Sequence, residues 1–135
     1  METYRGFVMA QETDSNGHMN VQFYTLKFDQ ATGQHLTRLG FDFVDLHKKN
    51  LGFAYVESTI RYIKEVLEDT SLHIESELVS VANKVVTVRH VMKDSVKNTL
   101  ASDCVMKWVI FDKKTRKAIP ISDRLRKRLQ EIQDE

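Results

Sequence analysis

The stretch Asp14-Ser15-Asn16-Gly17-His18-Met19-Asn20 concentrates more chemistry than any other part of this chain. It places a carboxylate, a glycine turn and a histidine directly before a helical pattern. A carboxylate can attack a carbonyl carbon, or take a proton from the water that does. The first turn of a helix carries N–H groups without partners and a partial positive charge, which suits an oxyanion. Together these groups could attack or hydrate a carbonyl and hold the negative charge that results.

The surrounding residues predict how that segment is positioned. Asp14 to Gly17 has turn composition, because Asx side chains bond their own backbone and glycine takes a positive φ without steric cost. Asn20 suits an N-cap, since its side-chain oxygen can accept from a free N–H of the first turn. Tyr24, Phe28, Ala31, His35 and Leu39 follow at helical spacing, and Gly40 stands where a left-handed stop is expected. The pattern predicts a helix from about Asn20 to Leu39. Asx-Gly turns before helices are common as plain structure, so spacing alone leaves both a structural and a chemical reading open. A calcium loop fits poorly, because its glycine should come five positions after the first acid, among further acidic ligands. Gly17 comes three positions after Asp14. Zinc fits no better, with one cysteine in the chain and His18 and His35 too far apart to be neighbours on a helix face. No metal site is expected.

With 135 residues, the chain is long enough for one domain with a real core and too short for two. Its net charge of +1 argues against a broad basic face for nucleic acid. Cys104 stands alone in an apolar strand pattern, which suits a reducing cytosol and a buried, inert thiol. The first residues are polar and lack an apolar h-region, so no signal peptide is expected. No apolar run approaches the length of a membrane span. A cytoplasmic protein without membrane contact is the expectation.

Along the chain, Tyr4 to Gln11 reads as a strand. Phe41 to Leu51 reads as irregular, with Phe41, Phe43, Val44 and Leu46 packing the helix end back on the core. From Phe53 to Lys64 the pattern alternates, with Ala54, Val56, Ser58, Ile60 and Tyr62 on one face and Glu57, Thr59 and Arg61 on the other. Leu72, Ile74 and Leu78 mark the next strand, Val86, Val88, His90 and Met92 a third, and Leu100, Cys104, Met106, Trp108 and Ile110 a fourth. Short polar breaks between them predict an antiparallel meander. The basic run Lys113 to Lys117 should be a strand end or hairpin tip, either a solvated loop or a landing place for a polyanion. Ser122 should cap a last charged helix, over about 122–133. One long helix before several antiparallel strands predicts an α+β class. Phe23 and Leu26 lie off the Tyr24 stripe, so the helix should be wrapped by a curved sheet. A sheet curled round one helix leaves an edge and an open face, which dimerisation would cover.

Asp14-x-x-Gly17-His18-Met19-Asn20-x-x-x-Tyr24, the helix, the Gly40 stop and the strands resemble the hotdog-fold acyl-CoA thioesterases, in the branch similar to 4-hydroxybenzoyl-CoA thioesterase. The resemblance runs from about Tyr4 to Ile121 and implies a single hotdog domain over 1–135. It implies that Asp14 attacks the thioester carbonyl or activates a water, with His18 orienting the Asp14 loop or polarising the carbonyl. Gly17, Asn20, Val21 and Tyr24 would position the substrate, and backbone N–H groups near Asn20 to Tyr24 would hold the oxyanion. Asn20 itself reads as a cap and Tyr24 as a wall of the acyl pocket. Phe23, Phe53 and Tyr55 are candidates for the pocket lining. Family sites lie at a dimer interface, which makes Glu57 a candidate contributed by the second subunit. The implied partners are an acyl-CoA substrate and a second copy of the chain, with a dimer of dimers as the larger alternative. Coenzyme A enters as part of the substrate and no other cofactor is implied. Arg61, Lys64, Lys84, Arg89, Lys93 and the Lys113 to Lys117 run are candidates for its phosphates.

A narrower likeness lies in Thr13-Asp14-x-Asn16-Gly17-His18-Met19-Asn20 followed by Glu57-x-x-Ile60-x-Tyr62-Ile63-x-Glu65-Val66. This is similar to the thioesterases that accompany carnitine dehydrogenase, and it implies betainyl-CoA as substrate. A quaternary ammonium acyl group would favour aromatic faces. Two rival functions stay open. One is a hotdog module that binds acyl-CoA without turnover, although such regulators usually carry a DNA-binding segment. The other is a hotdog hydratase or dehydratase, whose aspartate and histidine stand one position further apart than Asp14 and His18.

Overall fold

The computed structural model describes residues 1–133. In chain order it contains β1 (Glu2–Phe7), a 3-10 turn (Ala10–Glu12), α1 (Val21–Arg38) and α2 (Phe43–Lys48). There follow β2 (Leu51–Tyr62), β3 (Ser71–Val81), β4 (Val86–Asp94), β5 (Leu100–Asp112), β6 (Lys117–Ala118) and α3 (Asp123–Gln133). The strands form one sheet in the order β1-β3-β4-β5-β2, with β6 paired to β5. The α+β class expected from the sequence is the observed one, and helix α1 matches its expected span to one residue at each end.

Several expectations need correction. The first strand ends at Phe7, and the residues before Asp14 close as a 3-10 turn in which the Glu12 carboxylate accepts the Met9 N–H at 2.8 Å. The segment after Gly40 is not irregular throughout: Asp42 caps α2 by accepting the Val44 and Asp45 N–H groups at 2.9 and 3.3 Å. Val44 faces solvent rather than the core. Finally, β2 does not bury one alternating face. It stands at the end of the strand order, and its Val56 and Tyr62 are 56% and 52% exposed.

Two compact units divide the chain, each drawing on stretches of the same long elements. The first holds Met1–His35, Ile60–Ser76 and His90–Cys104. Its core is the expected α1 stripe, with Tyr24, Phe28, Ala31 and His35 all buried. Phe28 stacks on His90 of β4 at 6.1 Å between ring centroids, and Tyr24 meets Tyr62 of β2 edge-on at 5.0 Å. Leu26, expected to help bury a second helix side, is instead 47% exposed. Lys27 takes the buried place beside the stripe, bonded to Glu12 and to Tyr4 of β1.

Residues Leu36–Thr59, Glu77–Arg89 and the described residues from Val105 onward make the second unit. Trp108 sits at its centre among Leu36, Leu39, Val86, Val88, Ile110 and Leu129, with Phe41 and Phe53 against the indole. Full burial of each such aliphatic or aromatic side chain stabilises by about 1.5–3 kcal/mol. Gly40, at φ 80°, ends α1 here: the Phe41 N–H reaches back to the Leu36 carbonyl at 3.0 Å. Arg126 of α3 donates to the carbonyls of Val81 and Ala82 at 3.0 and 2.9 Å. No described helix is long and apolar enough to cross a membrane.

Candidate active site

Asp14 heads a closed loop. Its N–H donates to the His18 carbonyl at 3.1 Å and its carbonyl accepts the Gly17 N–H at 2.9 Å, with Gly17 at φ 83°. A residue with a Cβ would be strained there, so the turn favours glycine. Below this, Thr13 bridges Met19 and His18 bridges Leu67. The Met19 N–H donates to the Val66 carbonyl at 2.7 Å, and the Asn20 N–H to the Glu12 carbonyl at 2.8 Å. The Asp14 loop is therefore held at its foot by the 3-10 turn on one side and by residues 66–67 on the other.

The carboxylate has two partners. One oxygen accepts the Asn16 N–H at 2.9 Å, and the other accepts from the Asn20 side-chain amide at 3.4 Å. Asn20 is also the helix cap, its side-chain oxygen accepting the Gln22 N–H at 3.2 Å. One residue thus starts α1 and steadies Asp14. The Phe23 N–H is taken by the Asn20 carbonyl at 3.0 Å. Among the described residues, neither the Val21 nor the Tyr24 N–H has a hydrogen-bond partner, so the first turn offers two free donors.

A cavity of about 320 Å³ opens here, lined by Asp14, His18, Met19, Asn20, Val21, Tyr24 and the segment Tyr62 to Glu65. That volume lies at the small end of ligand pockets. The second unit has a larger cavity of about 700 Å³ between α2 and α3. Its lining has no histidine or cysteine, whereas the smaller one joins Asp14 and His18 at the start of α1. Burial raises the phenol of Tyr24 above its ordinary value, and the charges of Tyr62, Asp14 and Glu65 raise it further. The cavity therefore sets the carboxylates of Asp14 and Glu65, together with Lys64, beside two tyrosine rings.

The structure brings together Asp14, His18, Asn20, Val21 and Tyr24 from the sequence-derived set. Gly17 shapes the loop without lining the cavity. The His18 ring contacts the Met19 carbonyl at 3.5 Å rather than the Asp14 carboxylate. Phe23 is half-buried on α1 but outside the lining. Phe53 and Tyr55 pack edge-on at 5.3 Å within the second unit, and Glu57 pairs with Lys107 at 3.3 Å there. Among the basic candidates Lys64 lines the cavity, whereas Arg61, Arg89 and Lys93 are engaged by Asp103, Glu77 and Glu75. Lys113 to Lys117 form the β5–β6 tip, where Lys113 meets the His47 ring at 2.7 Å. Cys104 is fully buried, and burial first, then the charge of Asp103, pushes its thiol up to about 12, as suits an inert group. No group of three or more potential metal ligands occurs among the described residues.

Sequence reasoning named Lys64 only as a candidate for the CoA phosphates. Tyr62, Ile63 and Glu65 stood in the narrower family likeness, but nothing local to them signalled a cavity. The Lys27–Glu12 pair beneath the loop was missed outright, because a lysine on a helix reads as exposed.

Residues 8–129 match the family described as the thioesterase-like superfamily. Over 92 residues, 68% of this chain, the sequence is 24% identical to a betainyl-CoA thioesterase of Pseudomonas aeruginosa. The match spans 58% of that relative's length. A Staphylococcus aureus protein solved in complex with CoA superposes with a TM-score of 0.90 at 13% identity, over 99% of this chain and 85% of that one. The 1,4-dihydroxy-2-naphthoyl-CoA thioesterase of Synechocystis superposes with a TM-score of 0.86 at 12% identity, over 98% and 96%. These structural neighbours share the hotdog fold expected from the sequence.

Proposed function

Because the chain belongs to the thioesterase-like superfamily, we propose that it hydrolyses acyl-CoA thioesters in the cavity that Asp14 shares with the start of α1. The observation that carries this reading is that Asp14 and the first-turn residue Val21, whose N–H has no partner among the described residues, line one cavity. Asp14 attacks the thioester carbon, or removes a proton from the water that attacks it. The carbonyl oxygen becomes an oxyanion, and the Val21 N–H at the positive end of α1 donates to it. Collapse expels the CoA thiolate, which takes up a proton. If Asp14 has attacked, a mixed anhydride remains and water cleaves it; otherwise the free acid forms directly. The chain's own groups and water supply all of this chemistry. Asn20 holds the carboxylate in place, and His18 orients the loop through its bridge to Leu67.

The acyl group in this reading is betainyl. Tyr24, Tyr62 and Glu65 line the cavity together, and ring faces with a nearby carboxylate attract a quaternary ammonium. The similarity to a betainyl-CoA thioesterase supports the same choice. A second copy of the chain completes the site: Val21, Tyr62 and Ile63 stand 54%, 52% and 44% exposed at the cavity. Glu57 would then act only from that second copy.

The test is free-thiol release from a panel of short aliphatic, enoyl, aromatic and betainyl-CoA substrates, with size measured by light scattering. Turnover highest on betainyl-CoA by a dimeric protein is the expected outcome. Binding of acyl-CoA without thiol release would replace the hydrolase with a binding module. Consumption of an enoyl-CoA without thiol release would point to a hydratase.

A further inference from the structure

We propose that Lys27 is a positioning residue for Asp14, acting through Glu12. Lys27 and Glu12 form an ion pair at 2.7 Å with side chains only 5% and 10% exposed. The same ammonium donates to the Tyr4 hydroxyl at 3.1 Å and lies 5.4 Å from the centre of that ring. Burial pushes the Glu12 carboxyl up, but the hydrogen bonds from Lys27 and the Met9 N–H outweigh it and leave it below its ordinary value. Both partners are therefore charged at neutral pH.

A buried ion pair is a poor device for stability alone, since well-packed apolar residues of similar size often do as well or better. Its directionality is what distinguishes it. Each Glu12 oxygen has one partner: Lys27 of α1 holds one and the Met9 N–H holds the other. The Glu12 carbonyl in turn accepts the Asn20 N–H at 2.8 Å, and Asn20 bonds the Asp14 carboxylate. The pair thus fixes the distance between the 3-10 turn and α1, and the Asp14 loop is strung between those two supports. Lys27 does not line the cavity, so its effect must pass through the loop.

This inference rests on Asp14 being the reacting group, and the test separates the two. Lys27→Met combined with Glu12→Gln removes both charges together, and the glutamine oxygen can still accept the Met9 N–H. The expected result is a kcat at least tenfold lower with KM within twofold. The Asp14 and Asn20 amides should exchange with solvent at least tenfold faster, while the β4 amides keep their wild-type rates. Full kcat in the folded double variant overturns the proposal. So does a loss confined to KM, or equal acceleration of exchange in β4. Should the double variant fail to fold, Tyr4→Phe decides: a kcat at least threefold lower at unchanged KM supports the proposal, and full kcat overturns it. If the wild-type chain releases no thiol from any acyl-CoA, the hydrolase reading falls. Exchange at Asp14 and Asn20 then decides the positioning role alone, with unchanged rates overturning it.

Discussion

His90 should tie the stability of the fold to pH. Its ring is fully buried on β4, with Nε2 2.9 Å from the Thr32 hydroxyl and Nδ1 2.5 Å from the Ser76 hydroxyl. Phe28 stacks on one face. Burial first, and then the charge of nearby His35, lowers its pKa from 6.5 to about 3. The neutral ring is therefore the native form. Above pH 6.5 both folded and unfolded chains carry it neutral, and its contribution is complete. As pH falls below that value the unfolded chain binds a proton that the folded chain refuses, so stability drops until the pH passes the folded value near 3. The whole gap corresponds to about 5 kcal/mol at 1.36 kcal/mol per pH unit. Between pH 8 and pH 5 the loss from this one group is about 2 kcal/mol, roughly thirtyfold in the folding equilibrium. That window lies above the range in which the lowered carboxyls of Glu12, Glu75 and Asp94 lose their stabilisation. His90→Gln removes the titration while its amide can still bond Thr32 and Ser76. Urea unfolding, followed by the fluorescence of the single buried Trp108 at fixed protein concentration, gives both stability curves. The wild-type protein should lose about 2 kcal/mol more than His90→Gln between pH 8 and pH 5. Parallel curves would refute the reasoning.

Further outcomes follow from the site and its supports. Asp14→Asn can still accept the Asn16 N–H and should stay folded, yet thiol release should drop by about 10²–10⁴; a full rate would remove Asp14 from the chemistry. Gly17→Ala meets no steric obstacle but sits at φ 83°, so urea unfolding should show a loss of about 1–2 kcal/mol. Lys27→Met alone leaves Glu12 buried without its counter-charge and should cost about 3–5 kcal/mol, far more than the paired replacement with Glu12→Gln. Tyr62→Ala should weaken betainyl-CoA binding by about 0.5–2 kcal/mol, read as a raised KM, with a smaller change for a neutral acyl group of the same size.

The sequence by itself determined the local geometry of the site. Asp14 to Gly17 had to turn, Asn20 had to cap, and Gly40 had to stop the helix, because each depends on a residue's own φ preference or on a partner within a few positions. Helical and alternating periodicity likewise exposed α1 and the buried faces of β3, β4 and β5, since a face buried along its whole length leaves its period in the chain. Tertiary structure alone decided the rest. Burial of Lys27 depended on Glu12 and Tyr4, 15 and 23 residues away, offering an anion and a hydroxyl in an otherwise apolar place. The exposed Val56 and Tyr62 followed from β2 standing at the end of the strand order, which no local pattern encodes. Tyr62 and Glu65 joined Asp14 in one cavity because residues 66–67 hydrogen-bond the foot of the Asp14 loop across nearly fifty residues of chain. Which groups share a cavity is set by such long-range pairing, and a single sequence carries no signal for it.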